Sequence, residues 1–251
     1  MTPLHDPPPP FNVIWMAQVD STNLLMQRRL DAWEGDAPMA ETLLVAGSQW
    51  AGRGRGQRRW VSPQGGLYAT WLGWVDVELL GVVPIAAPVA LAEALEAMVS
   101  GLRVGVKWPN DLMAGGKKLG GVLSQARVSG TQAGVIAGFG VNLAITPAVM
   151  AGGVTPTSAA EWGWKGDPVG AAVSLAVDCV VRLRSYLKEP AAARAAWLAR
   201  SVHRLGDELC VRAGDEVARG RFAGFGDAGQ LRLAVDGGER EFFAADLLAT
   251  L

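Results

Sequence analysis

The chain has 251 residues, half of them hydrophobic and 19% charged, with a formal net charge of −1. That is enough to bury a sizeable core in one large domain or two smaller ones. No global basic field exists to hold nucleic acid or an acidic membrane, so any anion site has to be local.

Residues 1–11 include four consecutive prolines, Pro7 to Pro10. Proline donates no backbone hydrogen bond and favours an extended polyproline form, so this stretch reads as an arm. It lacks the basic start and apolar run of a signal peptide. No window reaches the roughly 18 uninterrupted apolar residues of a membrane helix. Cys179 and Cys210 form no CxxC, which fits a reducing, cytoplasmic compartment.

Asp20-Ser21-Thr22-Asn23 offers N-caps for a helix that runs through Leu24 to Leu30 and stops near Gly35. Thr42 to Ala46 is a short apolar run, read as a buried strand. It leads into Gln49 and a Gly/Arg loop. Leu67 to Leu72 follows a Pro-Gln-Gly-Gly turn and reads as another strand. Pro88 to Ser100 fits a helix stopped by Gly101. Val104 to Trp108 is a strand ended by Pro109. Leu119 to Ala126 and Val135 to Leu143 are two more strands, expected to be antiparallel neighbours. Asp167-Pro168 caps a long helix to about Lys188, and after Pro190 the pattern continues helically to Arg200.

After residue 203 the pattern becomes short strands at Glu208–Val211, Val217–Phe225, Gln230–Val235 and Arg240–Phe243, split by glycine turns. This suggests a small barrel. The expected organisation is an arm at 1–11, an α+β domain at 12–202 with a mixed, largely antiparallel sheet, and a small β-domain at 203–251.

Three segments carry chemistry. Residues 49–60 hold Arg53, Arg55, Arg58 and Arg59 interleaved with Gly52, Gly54 and Gly56. Glycines let the backbone turn sharply, and guanidinium forks bind phosphate or carboxylate. By itself the loop fits equally a solvated basic loop or an RGG-like RNA contact. Lys107-Trp108-Pro109-Asn110-Asp111 delivers a cation, a flat ring, an amide and a carboxylate at one strand end. Lys117-Lys118 follows a Gly-Gly turn. Together these groups can gather two anions and a nucleophile, as ATP-dependent acyl activation requires.

Familiar alternatives fail. Gly116-Lys117 is followed by Lys118, so no Walker A loop is present. Gly224 to Gly229 matches G-x-G-x-x-G but precedes a strand, so it reads as a hairpin turn. His5, His203 and the two cysteines have no metal-binding spacing.

In this order, over roughly residues 18–145, these segments resemble the catalytic domain of biotin–protein ligases, a family related to the lipoate ligases. Lys107 to Leu112 resembles the family's K-W-P-N-D-L motif. Lys118-Leu119-Gly120-Gly121 resembles its catalytic-lysine segment, and Gly138 to Asn142 its G-x-G-x-N strand. The tail is similar to its SH3-like C-terminal domain.

The resemblance implies ATP-dependent formation of biotinyl-5′-AMP, then transfer to a lysine of a biotin carrier domain, with ATP, biotin and Mg²⁺ required. It implies Lys118, Arg53 and Asp111 as catalytic residues. Biotin contacts fall on Ser21, Thr22, Asn23 and Gln49, on Gly52 to Arg55, and on Lys118 and Gly121. Nucleotide contacts fall on Arg53, Arg55 and Trp60, on Lys107 and Asn110, and on Lys118 and Asn142. Trp50 or Trp108 is expected to wall an apolar slot. The segment from Thr155 to Trp164 has no obvious counterpart to the aromatic that stacks on adenine in some members; Trp162 and Trp164 are candidates, with packing the commoner role for either. The chain offers no room for an N-terminal DNA-binding domain, so no DNA partner is expected. A homodimer through sheet edges is compatible.

One departure is specific. The family usually reads G-R-G-R-x-G-R-x-W, and here Gly56 and Gln57 are exchanged. Alternatives are a lipoate or octanoate ligase or transferase, and a catalytically impaired ligase-like binding protein.

Overall fold

The computed structural model describes residues 11–34, 38–148, 154–227, 229–243 and 246–248. The proline run, Gly35 and Ala228 of the Gly224–Gly229 turn lie outside them.

In chain order, β1 (Asn12–Met16) leads to α1 (Thr22–Asp31) and β2 (Thr42–Ala46). The Gly/Arg segment then precedes β3 (Gly66–Asp76) and α2 (Val83–Met98). Four strands follow: β4 (Gly105–Lys107), β5 (Asp111–Ala114), β6 (Lys117–Ser129) and β7 (Gln132–Asn142). Two helices, α3 (Pro168–Lys188) and α4 (Pro190–Arg200), close the first part.

The seven strands form one sheet in the order β1-β2-β3-β7-β6-β5-β4. Only β1 and β2 run parallel, so the sheet is mixed and largely antiparallel. Period-two alternation decides which face each side chain takes. Leu43, Val45, Trp71, Val135 and Ala137 point into the main core beneath α2 and α3. Leu44, Leu72 and Ile136 point the other way and pack with Met26 and Leu30 of α1.

α2 starts at Val83, five residues before the expected Pro88, which lies inside it. Pro84 takes the first turn, where a missing N–H costs nothing. Pro88 forfeits one internal hydrogen bond. Eleven of the sixteen α2 residues are buried, and that packing outweighs the local penalty. α3 begins as expected: the Asp167 carboxylate accepts from Val169 N and Gly170 N, and Pro168 opens the first turn.

The tail forms β8 (Glu208–Ala213), β9 (Glu216–Phe225), β10 (Leu231–Val235), β11 (Gly238–Phe242) and β12 (Asp246–Leu248). Their order is β11-β10-β9-β8-β12, a meander whose last strand returns beside its first. This small separate sheet fits the β-unit expected after residue 203. It is fastened to the helices by Phe225, edge-on to Trp197 at 4.4 Å between centroids, and by Arg194, which donates to Asp227 O. Cys179 and Cys210 are both free and buried. No helix among the described residues is long and apolar enough to cross a membrane.

Candidate active site

The α1 face of the sheet is only half covered. Register places Leu72, Ile136 and Gln125 in one row across β3, β7 and β6. α1 packs over the apolar part of that row. The next row is Thr70, Gly138 and Leu123, and the one after is Tyr68, Gly140 and Gly121. α1 begins at Thr22, so these rows lie beyond its N-terminus. Gly138, Gly140 and Gly121 add no side chains there, and the space over them is a cavity of about 990 Å³.

One end of the cavity is neutral and hydrogen-bonding. Ser21 caps α1, its hydroxyl accepting from Leu24 N. Asp20 accepts from Ser21 N and from Arg28, which holds its carboxyl below the usual range. Thr70 Oγ1 donates to Thr22 Oγ1 at 2.9 Å. Thr22 N and Oγ1 both donate to Gln49 Oε1, at 2.8 and 3.2 Å. Gln49 Nε2 donates to Ser62 Oγ. Asn23 Nδ2 lies 3.5 Å from Leu123 O. Side chains locked by packing and hydrogen bonds hold a preorganised site.

The other end is cationic. Residues 49–62 form a tight hairpin, paired at Gln49/Ser62 and Arg53/Arg59. Gly54 N donates to Arg58 O and Trp60 N to Gly52 O. Gly56 sits at φ 62°, ψ 37°, in the left-handed region that glycine reaches without strain. The local turn therefore favours glycine at position 56, which gives the exchanged Gly56-Gln57 order a conformational reason. Trp60 lies against Gly140, where a Cβ would come within 2.9 Å of its ring.

Between the two ends stands Lys118, 15% exposed, with Nζ 2.5 Å from Asp111 Oδ1 and 5.7 Å from the Trp60 ring centroid. Asn110 donates to Val122 O, tying the turn after β4 to β6. Seven cationic side chains line the cavity against three carboxylates, so a chain of net charge −1 has a locally positive cavity.

The Biotin/lipoate A/B protein ligase family model matches residues 15–142. The chain belongs to the biotin/lipoate A/B protein ligase family. A biotin–[acetyl-CoA-carboxylase] ligase of Paracoccus denitrificans is 34% identical over 242 residues, covering 92% of this chain and 98% of that protein. The bifunctional ligase/repressor BirA of Bacillus spizizenii is 28% identical, and the match spans 82% of this chain and 65% of that longer protein. A solved biotin protein ligase from Aquifex aeolicus, in complex with biotin and ATP, superposes with a TM-score of 0.72 at 26% identity, covering 94% of this chain and 97% of that one.

Against this biotin/lipoate ligase fold, most expected site residues converge. Ser21, Thr22, Asn23 and Gln49 line the cavity, as do Arg53, Gly54, Arg55 and Trp60. Lys107, Asn110, Asp111, Lys118 and Gly121 line it too. Two expected contacts do not. Gly52 is used inside the hairpin, where a Cβ would strike Trp60 O and lie 2.5 Å from Ser62 Oγ. Asn142 is buried and spends its amide on Thr157 O at 2.9 Å.

Among the aromatics, Trp108 is buried in the cavity wall, while Trp50 is 57% exposed and outside it. Neither Trp162 nor Trp164 lines the cavity. Trp162 packs over Gly115 and donates to Thr157 Oγ1, and Trp164 packs against Gly166 and the core. Both tryptophans therefore take the packing role in this structure.

Sequence reading missed Thr70, Leu123 and Phe139, which reach the cavity only through strand register. It also missed His203, Asp207 and Arg212 from the approach to the second sheet and its first strand. His203 Nε2 is buried without a hydrogen-bond partner among the described residues. Burial and then the Lys107 charge push its imidazole pKa below the ordinary value. Burial places the Cys179 thiol well above its ordinary range, as expected of a core cysteine.

Proposed function

We propose that this chain activates biotin with ATP to give biotinyl-5′-AMP and transfers the biotinyl group to a lysine of a biotin carrier domain. The supporting observation is the Lys118–Asp111 pair, set in one cavity between a neutral hydrogen-bonding end and a cationic hairpin. The named relatives support the substrate: one is a biotin–[acetyl-CoA-carboxylase] ligase, and one solved structure contains biotin and ATP.

In this reading the ureido ring sits against Ser21, Thr22 and Asn23, with Gln49 holding Thr22 in place. Ser21 and Asn23 then act from fixed positions. Apolar atoms of Trp108 and Leu123 wall the rest of the acid. The carboxylate of biotin attacks the α-phosphate of ATP, and pyrophosphate leaves. That step brings two anions together, so Arg53, Arg55, Lys107 and Lys118 supply the opposing charge. Asn110 and Trp60 border the nucleotide. In the second step the acceptor lysine amine attacks the acyl carbon, AMP leaves, and an amide forms. Asp111 is bound to Lys118 in the free site. Movement of Lys118 onto the substrate carboxylate and phosphate frees Asp111 to orient the incoming amine and take its proton.

Among the described residues no group of three histidine, cysteine or acidic side chains can hold a metal ion. Mg²⁺ enters this reading as the counter-ion of ATP, where it would add positive charge at the phosphates. We place the protein in the reducing cytoplasm, a reading supported by its free, buried thiols. We divide the chain into a catalytic unit, residues 12–202, and a small β-unit, residues 203–251, a reading supported by the two separate sheets. The outer edge of β1, with Val13, Ile14 and Trp15 exposed, supports a homodimer.

The test is pyrophosphate release with ATP and, in turn, biotin, lipoate and octanoate. Release with biotin alone is expected. No release with any acid refutes activation, and release only with lipoate or octanoate transfers the assignment to the other branch.

A further inference from the structure

Lys118 is not placed by its own sheet alone. β6 pairs with β7 only from Gly120 onward, so at Lys118 one edge of β6 has lost its neighbour. On the other edge, Leu112 pairs with Gly120 and Met113 with Lys118, a bulge that leaves Leu119 unpaired and turns the strand. Leu119 is fully buried in the core, and Lys117 is 48% exposed on the outside. A backbone so bent needs something to fix it, because small errors at Cα grow along a four-carbon side chain.

The segment after β7 supplies that fixing. Lys118 N donates to Thr155 O at 2.8 Å, and Thr157 N donates to Lys118 O at 2.9 Å. Residues 155–157 thus take the edge that β7 has vacated. This strap is itself tied down. Asn142 donates to Thr157 O. Thr157 Oγ1 donates to Glu161 Oε2 at 2.9 Å, and Trp162 Nε1 donates to Thr157 Oγ1 at 3.2 Å. Thr146 Oγ1 donates to Glu161 Oε1 at 2.5 Å, and Lys117 Nζ lies 3.7 Å from Glu161 Oε2. Every polar group of Thr157 is used, and the residue is fully buried.

We propose that the Thr155–Thr157 strap, anchored by Glu161, is the positioning element for Lys118: Glu161 and Thr157 touch no substrate and act through the lysine. The inference rests on the ligase reading above. It also gives Asn142 and Trp162 a role other than nucleotide contact, since both spend their polar groups on Thr157. Glu161 serves two ends: it holds the strap and pairs with Lys117, the lysine that faces away from the cavity.

The experiment is a double-mutant cycle read by pyrophosphate release, combined with amide hydrogen exchange. Glu161→Ala is expected to lower kcat about 10- to 100-fold, the cost of misplacing a catalytic group by about 1 Å. KM for biotin should stay within about twofold, because the ureido end is untouched. Thr157→Val should behave alike. Glu161→Gln keeps one accepting oxygen and replaces the other with an amide N–H2 that can only donate, so it should recover part of the rate lost in Glu161→Ala. In a Lys118→Ala background, Glu161→Ala should have no further effect, because the group it positions is gone. The amides of Lys118 and Thr157 should exchange about tenfold faster in Glu161→Ala, with mid-β7 amides unchanged.

Equal losses in both backgrounds overturn the proposal, as does a wild-type kcat in Glu161→Ala. Unchanged exchange at Lys118 also overturns it. If the wild-type chain releases no pyrophosphate with any acid, the ligase reading fails instead, and the exchange result still decides the strap.

Discussion

Replacing Gly140 by alanine puts one methyl group where the fold has no room. The added Cβ would sit 2.9 Å from Cε2 and Nε1 of Trp60, inside van der Waals contact. Gly140 is held in mid-sheet between Tyr68 and Gly121, so the backbone cannot retreat and the indole has to move. Overpacking of this kind costs about 1–3 kcal/mol. For a chain of this size each 1 kcal/mol lowers Tm by about 2–4 °C. The ring also sits 5.7 Å from Lys118 Nζ, and a displaced ring loses that contact, worth about 0.5–1 kcal/mol at a partly exposed site. Gly140→Ala is therefore expected to unfold at lower temperature in a calorimetric scan and to lose about tenfold in kcat/KM for ATP. The control is Trp60→Ala. In that background the three atoms nearest the new methyl group are gone, and Gly140→Ala should be neutral within about 0.5 kcal/mol. An equal cost in both backgrounds, or none in the wild type, would refute the reasoning.

Lys118→Ala and Arg53→Ala should each lower pyrophosphate release, by about 10²- to 10³-fold for the lysine, with little change in Tm. Wild-type rates in both would remove these residues from the site. Gly56→Ala meets no atom within 4 Å, so it tests backbone conformation alone. The left-handed turn should cost about 1 kcal/mol, seen as a Tm lower by about 2–4 °C in a calorimetric scan; an unchanged Tm would refute the strain. His203 has its pKa depressed below 6.5 in the folded state, so the unfolded chain binds the extra proton first. Its contribution is present above pH 6.5 and is lost as pH falls through the folded value. Urea midpoints at pH 7.5 and 5.5 should therefore differ less in His203→Asn than in the wild type. An identical difference removes His203 as a source of the acid sensitivity.

Local chemistry made much of this protein readable in its sequence. Ser21 and the Asp167-Pro168 pair mark helix starts because a capping oxygen or a fixed proline φ acts within a few residues. The Gly/Arg hairpin, Lys107 to Asp111 and Lys118 are legible for the same reason: each lies at a turn or strand end, where residue type and conformation are coupled. β1 and β5 were not seen. β1 is mostly exposed and shows no alternation, and β5 has only four residues. Pro88 marked a helix start that is not there, because packing of α2 outweighed one lost hydrogen bond.

Tertiary structure decided what distance along the chain hides. Thr70 and Leu123 reach the cavity because strand register puts them in one row with Gly138. His203 and Arg212 reach it because the second sheet's leading segment packs beside it. Gly52 and Asn142 belong to readable motifs, yet the close approach of Trp60 to Gly52 and the Asn142 bond to Thr157 O set their roles. The sequence by itself determined which charges and turns exist and in what order. The fold alone determined which of them meet, because register and packing act between residues that share no local pattern.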